Sequence, residues 1–145
     1  AFPLLRKYSY TGAFFPITQP IDQNNDNYLT WDMVIEMHRA GMEFGSHSYR
    51  HADLSGRNAD FLIYEILGSK EAIEERIGEP VRFFSYPAGR YDGLTIQVLE
   101  SADFWAAVTT QWGIDQSFEN RFELVRIRVR GSDSAWMLAE KLNSF

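Results

Sequence analysis

The segment Val81-Arg82-Phe83-Phe84-Ser85-Tyr86 is a largely apolar stretch of strand length, and Pro87-Ala88-Gly89 turns the chain directly after it. Before it, the segment from Asp60 to Gly78 carries apolar residues near multiples of 3.6, which predicts a long helix that Gly78 ends. After it, the segment from Leu94 to Ala102 predicts a second helix. A strand that lies between two helices is typical of an α/β chain.

The rest of the chain repeats this alternation. Further strands are predicted at 13–17, 42–46, 104–109 and 124–129, and further helices at 2–8 and 31–40. The polar stretch 18–27 is expected to be a loop, and Ser132 or Asp133 is expected to cap a last helix. No hairpin signal joins two strands, so parallel strands with helical crossovers are expected.

Chain length limits the architecture. Each strand–helix unit takes about 30 residues, so a chain of 145 residues holds about five units. A complete (β/α) barrel needs about 250 residues. The chain also opens on a helix, without the strand that should precede it. We therefore expect one domain over 1–145, of the α/β class: a deformed, incomplete (β/α) barrel of mostly parallel strands with outer helices, truncated at its N-terminus.

Composition narrows the classes of partner. Hydrophobic residues make up 45% of the chain and aromatic residues 15%, which is enough to bury a core. The net charge of -6 disfavours nucleic acid, because an acidic surface repels phosphates. Apolar runs fall far below the roughly 18 residues that span a bilayer. The absence of cysteine excludes disulfides and thiolate metal sites. We expect no nucleic-acid partner and no membrane span; the oligomeric state is not predicted.

Two of the three histidines, His47 and His51, lie four residues apart directly after the predicted strand 42–46. This spacing is used by metal sites, and neutral imidazoles bind Zn²⁺ and other divalent first-row metals. Catalytic groups of parallel α/β folds collect where strands end, which favours ligation. Ser48 between them is a candidate to orient a ligand. The alternatives are a solvent-facing pair at a helix start, or a buried histidine bonded to backbone.

The two segments together resemble a known family. Gly45-Ser46-His47-Ser48-Tyr49-Arg50-His51 is similar to the His-[Ser/Thr]-x-x-His metal motif of the polysaccharide deacetylases, the NodB-homology domain of carbohydrate esterase family 4. Arg82 with Phe84-Ser85-Tyr86-Pro87-Ala88-Gly89 resembles that family's Arg-x-x-x-[Tyr/Pro]-Pro-x-Gly motif. The resemblance extends over about residues 2–142 and implies a deformed (β/α) barrel that removes N- or O-acetyl groups from a glycan with a divalent metal, usually zinc.

The resemblance also implies roles for single residues. His47 and His51 match the two histidine ligands of the metal. The backbone N–H of Tyr86 matches the donor to the oxyanion, beside Pro87, and Arg82 matches the arginine that orients a catalytic aspartate. The other residues expected to contact substrate are Leu124, which matches a leucine of the acetyl-methyl pocket, and Trp105, which either borders the groove or belongs to the core.

The chain departs from the family pattern at the carboxylates. The family begins with Thr-Phe-Asp-Asp-Gly, which supplies the general base and the third metal ligand, but no Asp-Asp pair occurs in these 145 residues. The candidate substitutes are Asp53, Asp92 and Asp103, although loop aspartates more often form turns. No late histidine acid is evident, since His38 lies on the helix before the motif and is expected to be structural or exposed. The arginines of the last strand, Arg126, Arg128 and Arg130, are expected to form an exposed polar face.

Three functions remain open at this point. The first is a metal-dependent polysaccharide deacetylase whose activity is impaired in this chain because the aspartates are missing. The second is a non-catalytic carbohydrate-binding domain of the same fold. The third is a related hydrolase of cyclic amides. The resemblance places the protein in a secreted or cell-envelope bacterial setting, with an acetylated glycan as its partner.

Overall fold

A computed structural model describes residues 1–144 of the protein. Residues 1–144 contain six α-helices: α1 Phe2–Lys7, α2 Thr18–Asp22, α3 Trp31–Arg39, α4 Ala59–Ile77, α5 Gly93–Ser101 and α6 Ala135–Leu142. The same residues contain five strands distributed among them: β1 Ala13–Phe14, β2 Glu43–Phe44, β3 Phe83–Ser85, β4 Ala106–Trp112 and β5 Leu124–Arg126. The predicted α/β alternation is confirmed. Over the same residues, no helix combines the length and the hydrophobicity that crossing a bilayer requires.

All strand pairs in the described chain are parallel, and they follow sequence order. One sheet pairs β1 with β2, and a second has the order β3-β4-β5, with Ser85 opposite Val108 and Val108 opposite Leu124. A parallel bridge between Ser46 and Phe84 joins the two sheets. Within residues 1–144, β1 and β5 each pair on one side only. The array is therefore an open barrel segment, which agrees with the expected incomplete (β/α) barrel.

The longest helix, α4, shows how the sequence builds the outer layer. The Asn58 side chain accepts a backbone N–H of the first turn, and Gly78 ends the helix in the left-handed conformation, with φ of 75°. Leu62, Ile66 and Ile73 recur on one face and are fully buried. This stripe belongs to the same core cluster as Phe44 of β2 and Phe84 of β3, which holds α4 against the sheet.

Two local predictions are wrong. The stretch 18–27, expected to be a loop, begins with the short helix α2, because Ile21 buries its side chain in the core and so stabilises a helical turn. The cap of α6 is Ser134 rather than Ser132 or Asp133. Asp133 instead accepts hydrogen bonds from Lys141 and from the Arg130 backbone N–H, which ties the start of α6 to its end.

Candidate active site

The two motif segments meet at the carboxyl-terminal end of the parallel strands. His47 follows β2, and its Nδ1 lies 2.6 Å from the carbonyl oxygen of Ser85, the last residue of β3. The imidazole of His51 lies beside it, with ring centroids 4.8 Å apart and ring planes at 74°. The structure therefore brings together the two predicted metal ligands and the start of the Tyr86 loop.

The contact with Ser85 determines which ring nitrogen of His47 carries the proton. A carbonyl only accepts, so Nδ1 carries the proton and Nε2 keeps its lone pair. Burial lowers the pKa of His47; the bond to Ser85 opposes this shift, and the charges of His51 and Arg126 add to it. A neutral imidazole with a free Nε2 has the form that a metal ligand needs, so the donor set fits a divalent ion at these two residues.

The loop between the histidines has an unusual backbone. Ser48 and His51 both have positive φ, 63° and 61°, which side-chain-bearing residues seldom adopt. The buried Ser48 Oγ accepts the backbone N–H of His51 at 2.9 Å. Ser48 was expected to orient a metal-ligating residue. In the structure its hydroxyl closes the turn that carries His51.

A buried carboxylate that sequence reasoning missed supports the same loop. Glu65 of α4 has no solvent exposure, and its side chain accepts the Arg50 backbone N–H at 2.9 Å and the Arg50 Nε at 2.5 Å. The Glu65 backbone oxygen also accepts the Tyr49 N–H at 2.9 Å. The sequence carries one signal for this role, because Glu65 interrupts an apolar stretch of the predicted helix. An acidic residue in such a position is almost never fully buried unless it is paired, so a partner could have been expected.

The carboxylates of two candidate substitute bases, Asp53 and Asp92, are engaged elsewhere. Asp53 forms an ion pair of 2.7 Å with Arg90, which lowers the pKa of Asp53. Asp92 caps α5 and accepts the Gly56 N–H at 2.7 Å, and these backbone bonds lower the pKa of Asp92. Asp103 lies in a turn with φ of 59°. These aspartates form turns and caps, and the first two join the His51 loop to the Tyr86 loop.

Tyr86 is held by its side chain and reaches a ligand only through its backbone. The ring is 1% exposed and stacks on Tyr91 with centroids 4.1 Å apart. Its hydroxyl donates to the Phe122 carbonyl at 2.9 Å, and burial raises the pKa of Tyr86 well above its usual range. The Tyr86 N–H, the predicted oxyanion donor, donates to the Val108 carbonyl at 3.2 Å. To donate to an oxyanion, the Tyr86 N–H must either share its proton between the oxyanion and the Val108 carbonyl or give up the bond to Val108.

The turn after Tyr86 requires glycine. Ala88 and Gly89 both have positive φ, 51° and 69°, and the Gly89 N–H donates to the Tyr86 carbonyl at 3.0 Å. A Cβ on Gly89 would lie 2.2 Å from Thr110 Oγ1. Pro87 is buried within this turn. The loop is thereby pressed against β4.

Leu124 is aligned with the carboxyl-terminal end of β3, since Val108 lies between it and Ser85. It begins β5 opposite Val108, whose carbonyl meets the Tyr86 N–H. Its side chain lines a mostly apolar cleft together with Phe15, Phe83 and Val108. The cleft also includes Gly12, Gly41 and Ala106, so it extends to the amino-terminal end of the strands. The assignment of Leu124 to the acetyl-methyl pocket stays a prediction.

Arg82 and Trp105 lie at the other end of the strands. Arg82 precedes β3, whereas Tyr86 follows it, and the Arg82 guanidinium covers the Trp105 ring at 4.9 Å and bonds to the Asp103 carbonyl. Trp105 precedes β4 and is 60% exposed, so it is not a core residue. The structure does not bring either residue to the histidines, because a four-residue spacing along a strand separates positions by about 13 Å.

His38 agrees with its sequence interpretation, whereas Arg126 differs from it. His38 lies 3.8 Å from Glu79 and joins α3 to the segment after α4, which agrees with a structural role. Arg126 ends β5, its Nε donates to the Thr109 carbonyl at 2.7 Å, and its charge acts on His47. The exposed polar face expected for this strand therefore includes a residue beside the site.

A three-ligand metal centre is not assembled within the described part of the chain. Over residues 1–144, no group of three or more His, Cys, Asp or Glu residues is positioned to hold a metal ion. His47 and His51 are thus a pair of candidate ligands, whereas a catalytic zinc usually has three protein ligands and an open position.

Comparison with known proteins identifies the family. The family description "Polysaccharide deacetylase" matches residues 1–107. YxkH of Bacillus subtilis (strain 168), which carries a polysaccharide deacetylase name, is 29% identical over 129 residues, covering 89% of this chain and 46% of YxkH. The chain thus spans about half the length of this relative.

Solved structures agree with the fold. The Streptococcus pyogenes deacetylase PplD, solved in complex with acetate, superposes with a TM-score of 0.91 at 28% identity, covering 97% of this chain and 62% of PplD. BA3943 of Bacillus anthracis, described as a pseudoenzyme of carbohydrate esterase family 4, gives a TM-score of 0.65 at 19% identity, covering 73% of this chain and 36% of BA3943. Both motif segments converge as the family resemblance implied, and three quarters of the chain match the family description. The chain belongs to the polysaccharide deacetylase family.

Proposed function

We propose that this protein acts in the metal-dependent removal of acetyl groups from a glycan, with His47 and His51 as two ligands of the metal. The observation that carries the proposal is the meeting of the two imidazoles with the carboxyl end of β3, through the contact of 2.6 Å between His47 Nδ1 and the Ser85 carbonyl. The zinc, the acetylated glycan and an extracellular or envelope setting are parts of the proposal.

The geometry suggests how the chain's own groups would serve this reaction. His47 presents a neutral Nε2, and the Ser48–His51 bond holds the second imidazole beside it. A divalent ion at this pair would supply Lewis-acid polarisation of the acetyl carbonyl. The Tyr86 N–H would donate to the developing oxyanion in exchange for its 3.2 Å bond to Val108, and Leu124 would form an apolar wall for the acetyl methyl.

The missing carboxylates set the expected level of activity. Deacetylation needs a general base, and the aspartates nearest the motif loops are already engaged in ion pairs and caps. We therefore expect the 145-residue chain to bind zinc weakly and to release acetate slowly, because removing a base removes chemistry rather than tuning it.

Zinc titration of the purified chain tests the ligand assignment. Wild-type protein should bind one zinc ion, whereas His47→Ala and His51→Ala should each lose measurable binding. The matched control is His38→Ala, which removes the third histidine at a distance from the pair and should bind zinc as the wild type does. Zinc binding that persists in both site variants would contradict the proposal. Acetate release from N-acetylated chito-oligosaccharides, measured with and without zinc, tests the reaction itself.

A non-catalytic glycan-binding role is the second candidate, and it is favoured by the absence of a third ligand among residues 1–144. A fold of this kind also occurs in a protein described as a pseudoenzyme, so the fold alone does not carry the activity. In this role, glycan affinity should survive His47→Ala and His51→Ala. Loss of glycan binding on addition of a chelator would exclude it.

A further inference from the structure

We propose that Arg126 and Arg128 form a subsite for an anionic group, so that the preferred ligand is an acetylated glycan carrying a carboxylate or a phosphate. This inference rests on the proposed function, because it names the substrate class of the same site. Its test is a binding measurement that does not depend on turnover, so the two can fail separately.

The two arginines lie in a cleft that opens beside the motif loop. The residues that line it come from the turn after β3, from β4, from the end of β5 and from the segment that follows β5: Ala88, Thr110, Arg126, Ile127, Arg128 and Val129. Ala88 belongs to the Pro87–Gly89 turn. A sugar whose acetyl group lies near the histidines would therefore place neighbouring substituents in this cleft.

Arg126 is oriented by the fold and keeps donors for a ligand. Its Nε donates to the Thr109 carbonyl at 2.7 Å, which fixes the plane of the guanidinium. Four of the five N–H donors of an arginine remain after that bond. A planar fork of this kind matches the paired oxygens of a carboxylate or a phosphate.

Neither guanidinium has a carboxylate partner in the described chain. The ion pairs among residues 1–144 involve other cations, among them Arg50, Arg90 and Arg121. Burial and the nearby charge of Arg128 lower the pKa of Arg126, so two like charges lie close together without a counter-ion. Binding an anion would relieve this repulsion.

Calorimetric titration with three tetrasaccharides tests the subsite. The probes are N-acetylchitotetraose, which is neutral, an alternating N-acetylglucosamine and N-acetylmuramic acid tetrasaccharide, which carries carboxylates, and N-acetylchitotetraose phosphorylated at O6. Wild-type protein should bind at least one anionic probe about 10- to 100-fold more tightly than the neutral one, as charge-assisted hydrogen bonds predict. The preference should weaken as salt is raised. Which anionic probe binds more tightly identifies the source of the charge.

Variants separate recognition from folding. Arg126→Gln and Arg128→Gln should each reduce the anionic preference and leave affinity for the neutral probe unchanged. Arg39→Gln removes the same charge from the last turn of α3 and should retain the preference. Equal wild-type affinities for all three probes, no binding of any of them, or an equal loss for neutral and anionic probes in the variants would each overturn the inference. A retained preference without acetate release would overturn the proposed reaction alone.

Discussion

The two ends of the parallel strands are built differently although they share the same five strands. At the carboxyl-terminal end, polar bonds join one loop to the next: His47 to the Ser85 carbonyl, Asp53 to Arg90, and Asp92 to the Gly56 N–H. At the amino-terminal end, the Arg82 guanidinium lies over an exposed Trp105 ring, and Lys70 and Glu74 of α4 bond to the backbone of Val81 before β3. The first end carries the braced loops of the candidate site, and the second carries an exposed aromatic ring beside a segment that α4 holds.

This difference shows that residues of one sequence motif need not belong to the same site. Arg82 and Tyr86 belong to one sequence motif, yet they flank opposite ends of β3. The bracing at the carboxyl-terminal end restricts loops that carry positive φ at Ser48, His51 and Ala88. Such backbone persists only where its surroundings hold it in place, so bracing and function coincide there. The predictions below remove one support at a time.

The largest effect is expected from Glu65→Ala. The substitution leaves the Arg50 backbone N–H and guanidinium without their buried acceptor, which should lower the free energy of unfolding by about 1.5–3 kcal/mol. Zinc affinity should fall about 10- to 100-fold, as is typical when an outer support of a metal ligand is removed. Urea denaturation and zinc titration measure the two effects. The control is Glu75→Ala, an exposed acidic residue on the same helix; equal losses in both variants would contradict the bracing role.

The next effect concerns the turn after β3. Gly89→Ala should lower the free energy of unfolding by about 1–3 kcal/mol, since the new Cβ would meet Thr110 Oγ1 at 2.2 Å and φ is positive. The matched variant is Gly78→Ala, which has a similar φ of 75° but open space around the new atom. It should cost only about 1 kcal/mol. Thermal denaturation that ranks Gly78→Ala as the more damaging change would show that crowding at Thr110 is unimportant.

A smaller effect follows from the α5 cap. Asp92→Asn should lower the free energy of unfolding by up to about 1 kcal/mol at neutral pH. The backbone bonds hold the folded-state pKa of Asp92 below its unfolded value, so the stabilisation is present above the unfolded pKa and is lost as pH falls through the folded pKa. The gap between wild type and variant, measured by urea denaturation, should therefore shrink between pH 5 and about pH 2. A gap that widens on acidification would contradict this sign.

The smallest effect is expected at the amino-terminal end. Arg82→Ala removes a cation–π contact with an exposed ring, which is worth about 0.5–1 kcal/mol. Zinc affinity and glycan binding should stay at wild-type values, because the side chain lies at the far end of β3. If Arg82→Ala lowered zinc affinity as much as Glu65→Ala, Arg82 would have to act on the metal site. The two ends of the strands would then not differ in function as described.

The sequence predicted the parts of the fold that depend on local pattern. The structure confirms the apolar stripe of α4, formed by Leu62, Ile66 and Ile73, and the end of the helix at Gly78. Both features depend only on residue type and on spacing within one helix. Helix α2 was missed, since its stability comes from burial of Ile21 against distant residues. In that short segment, tertiary contact overrides polar composition.

The site was predicted in part for a similar reason. His47 and His51 come together because their spacing lies within one loop, and Ser48 closes that loop locally. Glu65 supports the same loop from 15 residues away, and Arg126 approaches it from β5. Trp105 was assigned to the groove or to the core and lies in neither, because residue type does not specify which end of a strand faces the ligand.

By itself, the sequence determined the α/β class, the histidine pair and the turn at Pro87-Ala88-Gly89, since each depends on periodicity or spacing within a short segment. Only the tertiary structure decided which groups share the site. Parallel pairing sets strand ends side by side, so it separates Arg82 from Tyr86 and brings Arg126 toward His47. Burial then lowers the pKa of His47, and packing places the buried Glu65 carboxylate beside Arg50 of the same loop. Both effects arise only when distant segments of the chain exclude water together.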